Sequence, residues 1–419
     1  MASIAMLPRL LSRRQLSTLP YRIRAPLNRI QAAKTQSAEG LASALGHGEA
    51  LEAAPADPDY VRLALTSRVY EMISETPLQH VSGLSERLGA NVHLKREDLN
   101  PAFSFYIRGA YAKLASLKQQ GCSVVITVSV GSRGLALACA AQRLSLPVTI
   151  VMPDIVPEGR RQHMARKGAH VVVTGSTLIE AKAEAARRLA EDPELTMLQP
   201  HDDPLIIAGQ ATAGMEILRQ YGSVLSARQR RALDSSLPAA PPARPALDAI
   251  FLPVGGGSLL AGVAAAVKQI APAVKIIGVE PEGVDVLRQS LMSGSRVTIA
   301  EPGVDGIWVP QLGEEVYRIC DTLVDDVVRV SDEEICDAIR DCFDDTRALL
   351  EPAGATSIAG LKKWVLRNEG EGDADVRRNY VAVASDACNI EFDFLGRVQA
   401  GEASIVSFGD VSRRTGPSN

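Results

Sequence analysis

The stretch Ser104-Phe105-Tyr106-Ile107-Arg108-Gly109-Ala110 joins an extended apolar segment, Val92 to Arg96, to a helical pattern that we expect to begin near Gly109. A strand that passes through a short loop into a helix is the first half of a βαβ unit. Open α/β sheets bind ligands beyond the carboxyl ends of their strands. The side chains of this stretch are therefore candidates for a functional site.

The same plan recurs along the chain, because β-branched runs alternate with segments of helical periodicity. The predicted strands are 91–96, 124–128, 148–152, 171–173, 249–254, 275–279 and 380–384, and the predicted helices are 135–144, 158–167, 178–189, 259–270, 332–343 and 353–365. Residues 222–248, rich in Ala, Ser and Pro, interrupt this rhythm and are predicted to be a surface insertion. Repeated units of this length predict an α/β protein with parallel sheets.

The amino-acid composition is that of a protein with buried cores and without a membrane span or a metal site. The chain has 419 residues, of which 46% are hydrophobic, which is enough for two or three domains with buried cores. No apolar stretch is long enough for a membrane span. The six cysteines form no C-x-x-C pair, and the histidines share no metal-ligand spacing, so we expect reduced thiols and no metal site.

The N-terminus differs from the rest of the chain. No acidic residue precedes Glu39, whereas this segment has seven basic residues: Arg9, Arg13, Arg14, Arg22, Arg24, Arg29 and Lys34. An Arg- and Ser-rich segment without acids is typical of a mitochondrial transit peptide, and the alternative is a basic tail. Because the whole chain carries a net charge of −4, the remainder is more acidic still. That balance argues against nucleic acid as a partner.

A glycine loop follows the strand at 249–254. The sequence Gly255-Gly256-Gly257-Ser258-Leu259 lies between this strand and an alanine-rich helix. Backbone N–H groups of such a loop, together with the helix N-terminus, can bind a phosphate without a lysine. The alternative is that the loop is only a tight turn, in which the glycines allow close packing and bind no ligand.

Together these motifs resemble the fold-type II pyridoxal-phosphate enzymes, and among them the L-threonine dehydratases. The stretches that carry the resemblance are D-Y-V-R-L-A-L-T-S-R-V-Y from Asp59, E-T-P-L-Q from Glu75, L-K-R-E-D-L-N-P from Leu94, D-D-P-L-I-I-A-G-Q from Asp202, V-G-G-G-S-L from Val254, I-I-G-V-E-P-E from Ile276 and D-D-T-R-A-L-L-E-P-A-G-A from Asp344. They extend from Pro58 to Leu395.

The resemblance implies a tryptophan-synthase-β-like α/β fold with two open parallel-sheet domains. The larger domain would comprise 46–105 and 205–395, and the smaller one 106–204, with a leader at 1–45, a tail at 396–419 and no C-terminal regulatory domain. It also implies a location in the mitochondrial matrix, a role in isoleucine synthesis and an oligomer, formed with identical chains or with a paralogue. A small-molecule ligand is expected, and neither a membrane nor a nucleic acid is.

The resemblance also implies cofactor-binding residues: the phosphate-binding loop Gly255, Gly256, Gly257, Ser258 and Leu259, and Ser385 for the pyridine nitrogen. Other positions depart from the family. Asp386 follows Ser385 where the family has glycine. In the loop that typically has the sequence S-A-G-N-H, the asparagine is Ser132 and the histidine is Arg133. The family's Schiff-base lysine is Tyr106.

Tyr106 changes the expected chemistry. A phenol cannot form an imine, and with an ordinary pKa near 10 it is a poor base. Pyridoxal phosphate is therefore expected either to bind non-covalently or to be absent. Lys95 and Lys113 are the nearest candidates for a substitute amine, although each would need to regain the geometry of the lost lysine.

Three functions remain open at this stage. In the first, a diverged enzyme acts on a small molecule without an internal aldimine; Tyr106 is then a hydrogen-bond donor or acid, Arg133 an anion clamp, and Ser132 part of the same site. In the second, the chain is a non-catalytic partner that regulates an active threonine dehydratase. In the third, it is a surviving dehydratase that converts L-threonine to 2-oxobutanoate and ammonia, or a related lyase. Tyr106 and Arg133 also have purely structural alternatives, as a space-filling ring and as an exposed or ion-paired side chain.

Overall fold

The computed structural model describes residues 57–199, 201–234, 247–299, 307, 309–368, 377–390, 395, 396, 398 and 399. The predicted leader at 1–45, residues 235–246 of the predicted insertion and residues 400–419 of the predicted tail lie outside the described residues. Apart from Asp57, the described residues belong to one unit, Pro58–Asn419. Within them, no helix has the length and apolarity needed to cross a bilayer.

The first half of the described chain alternates helices and strands. In order they are α1 (Tyr60–Thr66), β1 (Leu78–His80), α2 (Ser82–Arg87), β2 (Asn91–Arg96), α3 (Tyr106–Gln119), β3 (Val124–Val128), α4 (Ser132–Leu144), β4 (Val148–Met152), α5 (Glu158–Arg166), β5 (His170–Val173), α6 (Leu178–Glu191) and β6 (Leu195–Met197). A capping box fixes the start of α6, where Thr177 and Glu180 satisfy each other's backbone N–H groups.

The second half continues the alternation. It comprises α7 (Pro204–Asp234), β7 (Ala249–Pro253), α8 (Ser258–Ile270), β8 (Lys275–Pro281), α9 (Val286–Ser293), α10 (Glu314–Leu323), β9 (Asp326–Val330), α11 (Asp332–Thr346), α12 (Pro352–Arg367) and β10 (Asn379–Ala384). A second capping box, Ser331 with Glu334, starts α11.

The strands form two sheets. One has the order β5-β4-β3-β6 and is parallel throughout. The other has the order β1-β2-β10-β7-β8-β9 and is parallel except at its edge, where β1 runs antiparallel to β2. Its central strands are buried on both faces, as their continuous apolar runs predict. The predicted α/β class with two parallel-sheet regions is confirmed, and the exact domain boundaries stay a prediction.

The motif Ser104–Ala110 enters its helix earlier than we predicted. We predicted a helix beginning near Gly109, but α3 begins at Tyr106. The Ser104 hydroxyl accepts a hydrogen bond from the Tyr106 N–H at 3.2 Å, which satisfies a backbone donor of the first helical turn. Tyr106 is therefore a helical residue at the amino end of α3 and not part of a loop.

Other boundaries also differ from the predictions. Helix α4 begins at Ser132 rather than Leu135, which places Ser132 and Arg133 in its first turn. Helix α7 runs to Asp234, so residues 222–234 continue a helix instead of interrupting the pattern. The first proline of that segment is Pro238, so no proline interrupts the helix before its end at Asp234.

Some elements were not predicted, namely β1, β6, β9, α7, α9 and α10. The three strands have only three to five residues each. Runs this short carry little periodic signal, so flanking structure decides whether they become strands.

Helices α3 and α7 cross where glycine faces glycine. A methyl group at Gly209 would lie 2.7 Å from the Cα of Gly109 and 2.8 Å from the carbonyl oxygen of Arg108. A methyl at Gly109 would in turn lie 2.9 Å from the carbonyl oxygen of Ile206. Backbone atoms cannot move aside as a flexible side chain can. The crossing therefore requires glycine on both helices, and it holds the amino end of α3 close to α7.

We expect Gly209→Ala to lower the free energy of unfolding by about 1–3 kcal/mol, because the added methyl forces two helix backbones apart. Gly222→Ala is the matched control, since it makes the same change in the same helix at an exposed position with nothing within 4 Å. The control is expected to be up to about 1 kcal/mol more stable than the wild type through helix propensity. Denaturant unfolding measures both changes, and equal effects of the two substitutions would contradict the close crossing.

Candidate active site

A buried charge network anchors α3. The Arg108 guanidinium donates to both carboxylate oxygens of Glu97 at 2.7 Å and to those of Glu216 at 2.6 and 3.0 Å. Glu216 also pairs with Lys95 at 2.5 Å. These four side chains are almost fully buried, and their two positive and two negative charges balance. The network joins β2 and the turn that follows it to α3 and α7, which fixes where Tyr106 lies.

A cavity of about 90 Å³ lies at the amino end of α3. The residues that line it are Tyr106, Ser129, Val130, Gly131, Ser132, Arg133, Leu178, His201, Gly256 and Val309. They come from the loop between β3 and α4, from the segment after β6 and from the glycine loop after β7. The carboxyl ends of parallel strands therefore supply most of the wall, as the α/β pattern predicts.

Tyr106 forms one wall of the cavity. Its ring packs on Phe105, with centroids 4.1 Å apart, and lies 6.2 Å from the His201 ring. Burial, with a further contribution from the nearby Asp386 carboxylate, raises the pKa of the Tyr106 phenol well above its ordinary value, although Arg133 opposes this shift. The phenol is thus protonated at neutral pH. Its chemistry is that of a hydrogen-bond donor and not that of a base.

Arg133 and His201 form a hydrogen-bonded pair at the cavity. The Arg133 Nη1 donates to His201 Nε2 at 2.6 Å, and its Nη2 donates to the carbonyl oxygen of Val128 at 3.1 Å. Burial, reinforced by the adjacent guanidinium, lowers the pKa of His201 well below its usual range. His201 is therefore neutral, with Nε2 as an acceptor and the proton on Nδ1.

The glycine loop supplies backbone rather than side chains. Gly257 has φ of +78°, a conformation that favours glycine, and it directly precedes α8. Side chains at the other two glycines would collide with neighbours, since a methyl at Gly255 would lie 2.8 Å from the carbonyl oxygen of Ile307 and one at Gly256 would strike the His201 ring. Of the predicted loop residues, only Gly256 lines the cavity; Ser258 and Leu259 are buried within α8.

Asp386 is a buried carboxyl residue beyond the end of β10. Its carboxylate accepts a hydrogen bond from the Ser104 hydroxyl, and the hydroxyls of Ser385 and Ser132 also interact with it. Burial raises the pKa of Asp386 to about 6, and the three hydroxyls oppose that shift. Ser132 therefore connects this buried carboxyl group with the cavity wall. The Ser385 hydroxyl also contacts the carbonyl oxygen of Ala353 at 3.4 Å.

The two candidate replacement lysines are bound elsewhere. Lys95 Nζ is fully buried and donates to Glu216, to the carbonyl oxygen of Thr76 and to Gln220. Lys113 Nζ pairs with Asp203 at 2.6 Å. No lysine is among the described residues that line the cavity. Neither amine can enter the cavity without breaking these contacts.

The structure brings Tyr106, Ser132, Arg133 and Gly256 to one cavity, whereas Gly255, Gly257, Ser258, Leu259 and Ser385 are not among the described residues that line it. Sequence reasoning missed His201, because the histidines share no spacing that indicates a common site. Its one available signal was its place directly before the matched stretch from Asp202. Among the described residues, no group of three or more potential metal ligands is found.

These features define a class: an α/β protein with two parallel-sheet regions and a glycine loop at a cavity lined by strand ends. The family described as pyridoxal-phosphate dependent enzyme matches residues 69–386, and the chain belongs to it. Within that family it is a fold-type II member of the threonine dehydratase group.

Two curated relatives illustrate this placement. The mitochondrial threonine dehydratase of Saccharomyces cerevisiae is 44% identical over 344 residues, which cover 81% of this chain and 55% of the yeast protein. A threonine dehydratase-like protein of Alternaria alternata is 42% identical over 351 residues, 83% of this chain and 79% of that one. This chain thus spans about half the length of the yeast protein it matches.

Solved structures show the same fold. The processed form of threonine deaminase isoform 2 from Solanum lycopersicum has a TM-score of 0.71 and 36% identity, covering 81% of this chain and 92% of that one. Maize serine racemase has a TM-score of 0.69 and 26% identity, covering 83% of this chain and 98% of that one.

The cavity does not fit the family cofactor in its covalently held form. No described lysine lines it, the Tyr106 phenol forms part of its wall, and the Ser385 hydroxyl is engaged by its neighbours. The described residues of the cavity therefore supply no amine that could hold pyridoxal phosphate covalently.

The raised pKa of Asp386 predicts a pH-dependent stability. The folded chain binds this proton more tightly than the unfolded chain does, so stability falls as the pH rises from the ordinary aspartate range to about 6 and stays lower above it. Asp386→Asn removes this penalty and keeps an acceptor for Ser104. We expect the variant to be more stable than the wild type at pH 8, by up to about 3 kcal/mol, and the difference to vanish near pH 4.

Thermal and denaturant unfolding at both pH values measure the effect. Asp344→Asn, at an exposed position on α11, is the matched control. If Asp386→Asn destabilised the chain more at pH 8 than at pH 4, Asp386 would be a carboxylate that the fold requires to be charged, contrary to the argument above.

Proposed function

We propose that this chain is a diverged threonine dehydratase-like enzyme that acts on a small molecule without a Schiff base. The observation that carries the proposal is Tyr106 at the amino end of α3, on the wall of a cavity that no described lysine lines. An enzyme that forms an imine needs a primary amine at its reacting centre. The cavity offers a phenol, a guanidinium and a neutral imidazole instead.

The roles of these groups follow from their protonation. Tyr106 donates a hydrogen bond, because the raised pKa keeps its phenol protonated. Arg133 supplies positive charge in the first turn of α4. The partial positive charge of the helix N-terminus adds to that of the guanidinium group. Such preorganised donors stabilise negative charge that is present on a ligand or that develops during a reaction.

The group around Asp386 completes the proposed machinery. A carboxyl group with a pKa of about 6 exchanges its proton near neutral pH. Ser132 connects it to the cavity, so Asp386 can take up or release a proton through the Ser132 hydroxyl. In this proposal Tyr106, Arg133 and Ser132 are the residues that contact the ligand, and Asp386 acts through Ser132.

A surviving threonine dehydratase is not favoured, because Lys95 and Lys113 are both held in ion pairs away from the cavity. We further propose a mitochondrial location in the matrix. The curated relatives of Saccharomyces cerevisiae and Schizosaccharomyces pombe are named mitochondrial, and the acid-free leader supports the same location. Regulation of an active paralogue is the alternative that the following test also examines.

We expect the purified chain to show no imine absorption with pyridoxal phosphate, and borohydride treatment to leave no stoichiometric adduct, because the nearest amines are held in ion pairs. Peptide mapping by mass spectrometry checks Lys95 and Lys113 directly. Lys113→Arg serves as the control for labelling at an accessible lysine, since it preserves the charge beside Asp203.

A stoichiometric adduct on any lysine, or rapid release of 2-oxobutanoate from L-threonine, would overturn the proposed function. Co-purification of an active threonine dehydratase whose activity changes when this chain is removed would favour the regulatory alternative instead.

A further inference from the structure

Asp202 directly follows His201 and binds the amino end of a distant helix. Its Oδ2 accepts hydrogen bonds from the backbone N–H groups of Glu314 at 2.8 Å and Glu315 at 3.4 Å, and its Oδ1 accepts one from that of Val316 at 2.9 Å. The first turn of a helix leaves such N–H groups without an intrahelical partner. Helix α10 therefore takes its cap from a residue 112 positions before Glu314.

Helix α10 has no side-chain cap of its own. The residue that precedes its first turn is Gly313, which has no side chain to offer. A side chain at Gly313 would collide with the Asp202 carboxylate, although a φ of −65° is open to any residue. Glycine at this position therefore makes room for Asp202 and meets no conformational need.

The first turn of α10 packs against the glycine loop. A methyl group at Gly257 would lie 2.6 Å from a methyl group of Val316 and 3.6 Å from one of Leu312. The Asp202 carboxylate accepts from the N–H of the same Val316. Asp202 thus joins the segment after β6, which ends the four-stranded sheet, to a helix beside the glycine loop of the six-stranded sheet.

The next residue, Asp203, fixes this segment to α7. Its Oδ1 accepts hydrogen bonds from the N–H groups of Leu205 at 2.9 Å and Ile206 at 3.4 Å. Its Oδ2 pairs with Lys113 of α3 at 2.6 Å. Two successive carboxylates therefore bind the amino ends of two helices, and they leave the preceding residue, His201, little freedom to move.

The environment of the His201 ring depends on where this segment lies. The ring lies over Gly256, where any side chain would strike it, and its Nε2 accepts a hydrogen bond from Arg133 at 2.6 Å. Burial, reinforced by the Arg133 charge, lowers the pKa of His201 well below its ordinary value of 6.5. A ring that left this place would meet water and lose both effects, so its pKa reports its position.

We propose that Asp202 is a positioning residue of the site: by capping α10, it holds the His201 imidazole against Gly256 and beside Arg133. Asp202 is not among the described residues that line the cavity, so it acts through the segment that it anchors. This inference goes beyond the proposed function, because it concerns how the cavity wall is held and not which reaction takes place there.

The test follows the exchange of the Cε1 hydrogen of each histidine for deuterium, by peptide mass spectrometry of the full chain without pyridoxal phosphate. The pH dependence of the exchange gives the pKa of each histidine, and the rate reports its access to water. In the wild type we expect a pKa of His201 well below 6.5 and slow exchange. Asp202→Ala is expected to raise this pKa by about one pH unit or more and to accelerate the exchange.

The direction of the change separates positioning from charge. Removing a negative charge near an imidazole disfavours the protonated form, so the lost charge of Asp202 by itself lowers the pKa of His201. Release of the ring into water raises that pKa instead. A rise in Asp202→Ala therefore requires that His201 has left its place.

Two further variants test the same contact. Gly313→Ala keeps the Asp202 carboxylate in the chain but displaces it from α10, so we expect the same rise in the pKa of His201. Asp202→Asn keeps an acceptor oxygen, and asparagine caps helices about as well as aspartate does. Its His201 should therefore stay close to the wild type.

Matched controls exist for both kinds of substitution. Gly159→Ala adds a methyl group that meets nothing within 4 Å, and it is the control for Gly313→Ala. Ser331→Ala removes the cap of α11, and Ser331 is not among the described residues of the cavity wall. It is the control for Asp202→Ala, since both variants lose a helix cap. Neither control is expected to change the pKa of His201.

An unchanged or lowered pKa of His201 in Asp202→Ala overturns the inference, and so does a wild-type pKa near 6.5. A rise in Ser331→Ala as large as that in Asp202→Ala overturns it as well. If circular dichroism shows that Asp202→Ala does not fold, Gly313→Ala decides in the same way. Imine formation with pyridoxal phosphate would overturn the proposed function alone, because the exchange is measured without that compound.

Discussion

The ion network around Arg108 is the constraint on which the rest of the structure depends. Two carboxylates, Glu97 and Glu216, and two cations, Arg108 and Lys95, lie in the interior and balance one another. Burying any one of them alone would be costly, because the interior cannot solvate an isolated charge. Each member therefore requires the others, and β2, α3 and α7 are held together at one point.

That network separates the support of the fold from the cavity. Arg108 lies two residues after Tyr106 on α3, and its buried contacts fix the first turn of that helix. The close crossing of Gly109 and Gly209 holds the same turn against α7. The contacts that hold the amino end of α3 therefore come from Arg108 and Gly109, whereas the Tyr106 side chain lines the cavity.

Burial sets the protonation of the groups around the cavity. It lowers the pKa of His201 and raises the pKa values of Tyr106 and Asp386, because the interior disfavours the charged form of each group. Arg133, which donates to His201, supplies the positive charge. The proposed function depends on these protonation states.

The sequence alone determined the α/β class, the strands at β2, β3 and β4 and the glycine loop between β7 and α8, because local periodicity and matched motifs are encoded in contiguous residues. Only the tertiary structure decided that α3 begins at Tyr106, that the lysines are held elsewhere and that His201 meets Arg133 and Gly256. The pairs Arg133–His201 and Lys95–Glu216, for example, join residues 68 and 121 positions apart. No local pattern specifies such contacts, since they arise when separate strand ends converge on one cavity.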